Sequence, residues 1–322
     1  MKSKLQQRRK EVELGEVIDR IENGNRPKGG VGSLKEGIPS IGGEHINKTG
    51  GFNFSNIKFI SKEFYDSQKR GIIRVGDVLV VKDGATTGRV TFVSQDKFPY
   101  KKALVNEHVF ILRPKSSLVT SQFLFYYLYG KDGQMKILDN FHGSAQGGIN
   151  TQFVKNFTFL LPPLPTQQKI ISILEKAEKA KEWRKEADEL TKEFLKSVFV
   201  EMFGDPLKNT KKWPFRKFEE VIRLRRGFDL PVQDRAEGKY PLLASNGIID
   251  SINEYKVIGP GIVTGRSGTI GKVNYVGENY WPLNTTLYSE DLHGNNPLYL
   301  LYFLQIYDLG RFVRGTGVPT LN

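Results

Sequence analysis

With 322 residues, 39% hydrophobic and 26% charged, the chain is long enough for two domains and has the make-up of a folded globular protein, not a disordered or fibrous one. Its 48 Lys+Arg against 35 Asp+Glu leave +13, the electrostatic footprint of a nucleic-acid binder. The absence of cysteine excludes a disulfide framework, a cysteine zinc site and a cysteine nucleophile; no apolar run reaches the ~18 residues of a membrane span and residues 1–10 lack the apolar core of a signal peptide, so a cytoplasmic chain is expected.

The positive charge is uneven. Residues 1–165 hold 25 basic and 15 acidic residues, residues 166–203 hold 8 of each, and residues 204–322 hold 15 and 12. In chain order, Leu14-Gly-Glu-Val-Ile18 comes first. Residues 78–82 and 89–93 are β-rich runs around a Gly/Thr turn, which predicts a hairpin. The aromatic stretch 123–129 reads as a helix, and Gly143-Ser-Ala-Gln-Gly-Gly-Ile-Asn150 precedes an apolar strand. Leu161-Pro-Pro-Leu-Pro165 cannot be helical throughout, because prolines remove donors and restrict the residue before them. Thr166 then offers an N-cap hydroxyl. From Gln167 to Phe203 there is no proline or glycine. Apolar or small residues at Ile170, Ile173, Leu174, Ala177, Ala180, Ala187, Leu190, Phe194, Val198 and Met202 step by three and four along one helix face. Gly204 and Pro206 end the run. At ~1.5 Å per residue it forms a rod of ~57 Å, and its small residues let a second helix approach closely. It reads as one arm of a coiled coil.

Beyond the rod the sequence repeats itself. Phe218-Glu-Glu-Val-Ile222 answers Leu14 to Ile18. Gly76 to Val90, including Gly88, aligns with Gly259 to Val273 at a constant offset of 183. Gly315-Thr-Gly-Val-Pro-Thr-Leu-Asn322 answers Gly143 to Asn150, and the aromatic stretch 299–307 answers 123–129. The expected fold is mixed α+β, in three parts: a first domain over 1–161, a long helix over 162–205, and a second domain over 206–322. The second copy stops at Asn322, where the first continues into a strand and the rod, so the chain reads as truncated.

Leu161-Pro-Pro-Leu-Pro-Thr-Gln-Gln-Lys-Ile170, the long charged helix after it, and the Gly143–Asn150 and Gly315–Asn322 elements resemble the specificity subunits of type I restriction–modification systems. That resemblance implies two target recognition domains held apart by antiparallel helices, each reading one half of a split double-stranded DNA site. It implies no catalysis by the chain itself. It also implies docking to two methyltransferase (M) subunits that methylate adenine N6, and through them to the restriction (R) subunits. S-adenosylmethionine, ATP and Mg are then expected on those partners, and no cofactor or metal on this chain. With the second helix missing, the rod is expected to pair with that of another copy, through Ile170, Ile173, Leu174, Ala177, Ala180, Ala187, Leu190, Phe194 and Val198.

Base readers are sought in polar, Gly-rich loops between apolar strands, where side chains can approach base edges. In the first copy these are Arg26, Lys28, Lys82, Thr86, Thr87, Arg89, Lys101, Lys102, and His142, Ser144 and Gln146 of one loop. In the second they are Arg225, Arg226, Ser245, Asn246, Arg266, Ser267, Thr269, Asn284, Arg311 and Arg314. The bland reading of each cation is a solvated surface charge; Gly84, Gly88, Gly268 and Gly271 read as turn formers.

An enzyme fits less well. Gly265 to Lys272 has five residues between its glycines and Val273 where a phosphate-binding loop needs Ser or Thr. His45, His108, His142 and His293 do not fall at metal-ligand spacing. A non-catalytic coiled-coil scaffold, or another nucleic-acid-binding module outside restriction–modification, stays as the alternative. Tyr126, Tyr127, Phe303 and Tyr307 could stack on single-stranded bases, but their helical spacing among leucines favours core packing.

Overall fold

The computed structural model describes residues 10–31, 34–143, 147–313 and 320–321. The chain divides into two compact units, Met1–Lys181 and Glu182–Asn322. None of the described helices is long and apolar enough to cross a membrane.

The first unit runs β1 (Lys10–Glu13), β2 (Ile18–Asn23), β3 (Ile38–Ile41), β4 (Lys58–Ile60), α1 (Lys62–Asp66), β5 (Val78–Val81), β6 (Val90–Phe92), β7 (Leu104–Val105), β8 (Val109–Pro114), α2 (Ser121–Tyr129), α3 (Lys131–Leu138), α4 (Phe153–Asn156), β9 (Thr158–Leu161) and α5 (Leu164–Phe203). The predicted hairpin is present: β5 and β6 pair antiparallel in a four-stranded sheet ordered β2-β8-β5-β6. A second sheet is ordered β4-β3-β7, and β1 pairs with β9.

The sequence of β5, Val-Leu-Val-Val, explains its central place. All four residues are buried, and alternation sends them to opposite faces. Val78 and Val80 enter a core with Phe123, Leu124 and Leu128 of α2 and with Phe153 and Phe157. Leu79 and Val81 enter a separate core with Ile41 and Ile46. Each such side chain contributes roughly 1.5–3 kcal/mol by leaving water.

The second unit runs α6 (Phe218–Val221), β10 (Arg223–Arg226), β11 (Glu237–Ala244), β12 (Gly247–Ile252), β13 (Gly261–Gly265), β14 (Val273–Val276), β15 (Trp281–Pro282), β16 (Thr286–Asp291) and α7 (Pro297–Tyr307). Its sheets are ordered β10-β16-β13-β14 and β12-β11-β15. The repeat seen in sequence is therefore a repeat of topology. The parallel pairing of β3 with β7 recurs as that of β11 with β15. Ile262 of β13 packs with Leu300 and Leu304 of α7, while its neighbour Val263 turns to Leu243 and Tyr280. The fold is mixed α+β, two similar domains with a long helix in the chain between them.

That helix, α5, has 40 residues. It starts before the expected N-cap at Thr166, because Pro165 sits in the first turn, where a missing N–H forfeits no intrahelical bond. It stops before Gly204, whose φ of +84° is the left-handed conformation that glycine adopts without strain. The Trp213 indole then donates to the Phe203 carbonyl at 2.8 Å. Of the apolar face, Ile170 packs against the first core, but the fully buried residues of α5 are others. Ile171 is buried in the first unit and Phe199 in the second, where the Phe199 ring meets those of Phe203 and Tyr299 at tilted angles. Ile170, Leu174 and Val198 are half-buried, and Ala177, Ala180 and Ala187 are exposed. Ile173, Leu190 and Phe194 are 67%, 59% and 65% exposed, so an apolar stripe of this helix is left uncovered among the described residues.

The four aromatics considered as base-stacking residues are partly buried against the cores, Tyr126 and Tyr127 in the first unit and Phe303 and Tyr307 in the second. Burial first, then its bond to Glu178, pushes the Tyr126 hydroxyl well above the usual tyrosine range, so it remains a donor at neutral pH.

Candidate nucleic-acid interface

In the first unit the ends of the strands bring charged groups from three loops together. Strand register sets Val81 opposite Val109. The residues just beyond β5 (Lys82, Asp83) therefore lie beside those just before β8 (Glu107, His108). A chain of close charges results. Lys82 Nζ lies 3.3 Å from Asp83, and His108 Nδ1 lies 2.5 Å from the same carboxylate. His108 Nε2 is 3.4 Å from Glu107, which receives Arg26 Nε at 2.7 Å. The loop containing His142 joins this edge: Ile149 N–H donates to the Lys82 carbonyl at 2.7 Å, and Asp83 bridges Gly148. Arg26, Lys82 and His142 are thus gathered at one edge. Positive charge in the sequence points to Arg26 and Lys82; Asp83, Glu107 and His108 join them only through the pairing of β5 with β8.

The other candidates of this unit lie elsewhere or serve the fold. Arg89 is half-buried and donates to the Ile46 carbonyl at 2.9 Å. Thr87 donates to Gly84 within its own turn at 2.6 Å. The Thr86 hydroxyl stands so close to Gly43 that a side chain there would meet it at 2.5 Å. Lys101 and Lys102 are exposed, with Lys102 over the Tyr65 ring of α1 at 5.7 Å. Lys28 is exposed in the loop after β2. Ser144 and Gln146 lie outside the described residues.

The second unit assembles the same loops with different chemistry. Arg226 Nη2 approaches Asp229 at 3.7 Å, and the Asn284 amide donates to that carboxylate. Arg266 N–H donates to the Thr285 carbonyl at 2.9 Å. Thr269 N–H faces Ser245 Oγ at 3.4 Å, and Lys272 Nζ donates to the Asn246 carbonyl at 2.5 Å. Arg226, Ser245, Asn246, Arg266, Ser267, Thr269 and Asn284 therefore belong to adjoining loops at one end of the sheets. Lys272 matches Arg89 at the offset of 183, and both tether the hairpin to a neighbouring main-chain carbonyl. Arg225 is held by Glu290, and Arg311 stacks near Tyr307 and Phe312 at 6.0 and 5.9 Å; neither bonds to that cluster. Arg314 lies outside the described residues.

Strand register also aligns Glu107 with Thr285. Each leaves a buried side-chain oxygen, Oε2 and Oγ1 respectively, without a hydrogen-bond partner among the described residues. The first unit thus offers a mixed carboxylate, histidine and cation edge, and the second a guanidinium, amide and hydroxyl edge. Arg complements guanine, Asn adenine, and a carboxylate the amino group of cytosine, so the two edges differ in the hydrogen bonds they can offer.

A family model described as the type I restriction modification DNA specificity domain matches residues 8–191 and 210–322. Among solved structures, the chain is similar to the S subunit of a type I restriction-modification system from M. genitalium, at 15% identity and a TM-score of 0.55 over 94% of this chain and 79% of that one. It is also similar to a chain in a structure concerned with complex assembly and conformational transition of the type I R-M system, at 17% identity and a TM-score of 0.53 over 94% and 80%. These two likenesses are of fold.

Proposed function

The chain belongs to the family of type I restriction modification DNA specificity domains, whose task is specificity rather than catalysis, and from that premise we propose that it reads a bipartite double-stranded DNA site, one half with each unit. The observation that carries this reading is the repeat itself. The same two-sheet topology occurs twice, each time with polar and basic loops at the same strand ends, on either side of a 40-residue helix. A stiff helix holds two readers at a set distance, whereas a flexible linker lets the spacing vary. The +13 charge supplies sequence-independent affinity through counterion release, so binding weakens steeply with salt.

In the assembled system the chain docks methyltransferase subunits and, through them, restriction subunits. Those partners carry S-adenosylmethionine, ATP and Mg. The exposed stripe of Ile173, Leu190 and Phe194 pairs with the same stripe of a second copy. Sedimentation at micromolar concentration then gives a dimer, and a strict monomer contradicts this pairing.

Arg266→Ala tests the reading of bases. It is expected to relax recognition at one half-site by about 1–3 kcal/mol and to leave the other half-site and the salt slope unchanged. An equal loss on every sequence, with the salt slope reduced by about one, makes Arg266 a phosphate contact instead.

A further inference from the structure

The sequence run Pro-Pro-Leu-Pro-Thr-Gln-Gln places an amide in the first turns of α5, and the fold buries it. Gln167 is 0% exposed. Its Oε1 accepts the Thr120 N–H at 2.9 Å. Its Nε2 donates to the Leu118 carbonyl at 2.8 Å and to the Pro162 carbonyl at 2.9 Å. All three partners are main-chain groups, two from the loop before α2 and one from the link between β9 and α5. Thr120 is itself the N-cap of α2, its hydroxyl accepting the Phe123 N–H at 3.2 Å.

An amide has two donors and one acceptor oxygen in a fixed plane. Satisfying three buried main-chain groups at once restricts both the rotation of the helix about its axis and its tilt. An apolar contact such as that of Ile171 tolerates sliding, because dispersion is non-directional. Further along the same helix, Glu178 accepts the Tyr126 hydroxyl at 3.0 Å, a second tie to α2. From 179 to 197 every residue of the helix is exposed, so the ties at Gln167 and Glu178 fix the course on which it leaves the first unit.

We propose that Gln167 is a positioning residue for DNA recognition, setting the direction and rotational phase of the long helix and so the number of base pairs accepted between the half-sites. The proposal rests on the bipartite reading above. Gln167 touches no base; it acts through the helix.

The test uses the full chain. Half-sites are first defined by selecting wild-type protein on randomised duplexes. Affinity is then measured for the first half-site alone, and for both half-sites at the native spacer and at spacers one or two base pairs shorter or longer. Gln167→Leu keeps the volume and removes the hydrogen bonds. It should leave binding to the isolated first half-site nearly unchanged and lower the preference for the native spacer about five- to tenfold, the scale of one or two net hydrogen bonds. Tyr126→Phe should move the preference the same way by less, and it carries the test if Gln167→Leu fails to fold. A spacer preference unchanged in Tyr126→Phe and in folded Gln167→Leu, or lost only in step with isolated half-site binding, overturns the proposal. If wild-type protein selects no two-part site, the bipartite reading itself has failed and takes this one with it.

Discussion

Replacing Asp77 by alanine is expected to cost the first unit about 3 kcal/mol, the low end for a fully buried pair, because it leaves a half-buried guanidinium without its main partner. Asp77 is 1% exposed. Its carboxylate takes Arg113 Nε at 2.8 Å and Nη2 at 3.0 Å, and the Arg74 N–H at 2.8 Å. The Asp77 hydrogen bond, more than any other influence, raises Arg113 above the usual arginine range. Glu22, 3.4 Å from Arg113, remains in the variant but lies at longer range. The position 183 residues on is Pro260, so the second unit has no equivalent acid there. Hydrogen exchange on the full chain should show lost protection confined to the first unit. The double variant Asp77→Ala, Arg113→Met should recover part of the loss, since a buried pair replaced by apolar side chains is often near neutral. Equal loss of protection in both units, or no loss in either, contradicts this account.

Inserting four residues of helix-forming sequence between 176 and 196 is expected to shift the preferred spacer without altering either half-site. Four residues add ~6 Å and slightly more than one turn, and at ~3.4 Å per base pair the optimum should move by about two base pairs. On DNA of the native spacing, the variant should lose most of the affinity contributed by its second unit. The insertion lies among exposed residues, so neither core is disturbed. Selection on randomised duplexes measures both quantities together. Half-sites that change while the spacer stays fixed would mean that the helix is not the ruler.

The parts of the fold legible in the sequence are those governed by local period and by repetition. The hairpin around 82–89 and its copy could be read because β-rich runs flank a glycine turn twice at one offset. The long helix could be read because no proline or glycine interrupts it. Its buried contacts could not, because Ile171 and Phe199 are covered by α2 and α7, elements distant in sequence; the face of Ile173, Leu190 and Phe194, expected to meet a second helix, is exposed. The same reason hid the site. Arg89, chosen as a DNA contact, also donates to the carbonyl of Ile46, 43 residues earlier, a tie its local sequence does not show. The edge formed by Arg26, Lys82, Asp83, Glu107 and His108 exists only because β5 and β8 are neighbours. Gln167 reads as one more polar helix residue until the loop before α2 encloses it.

The most direct measurement is selection of wild-type protein, alone and with the methyltransferase subunit proposed as its partner, from a pool of random DNA duplexes. The account predicts two short blocks of defined sequence separated by a run of unread positions of constant length. One uninterrupted motif, or binding indifferent to sequence, would contradict it.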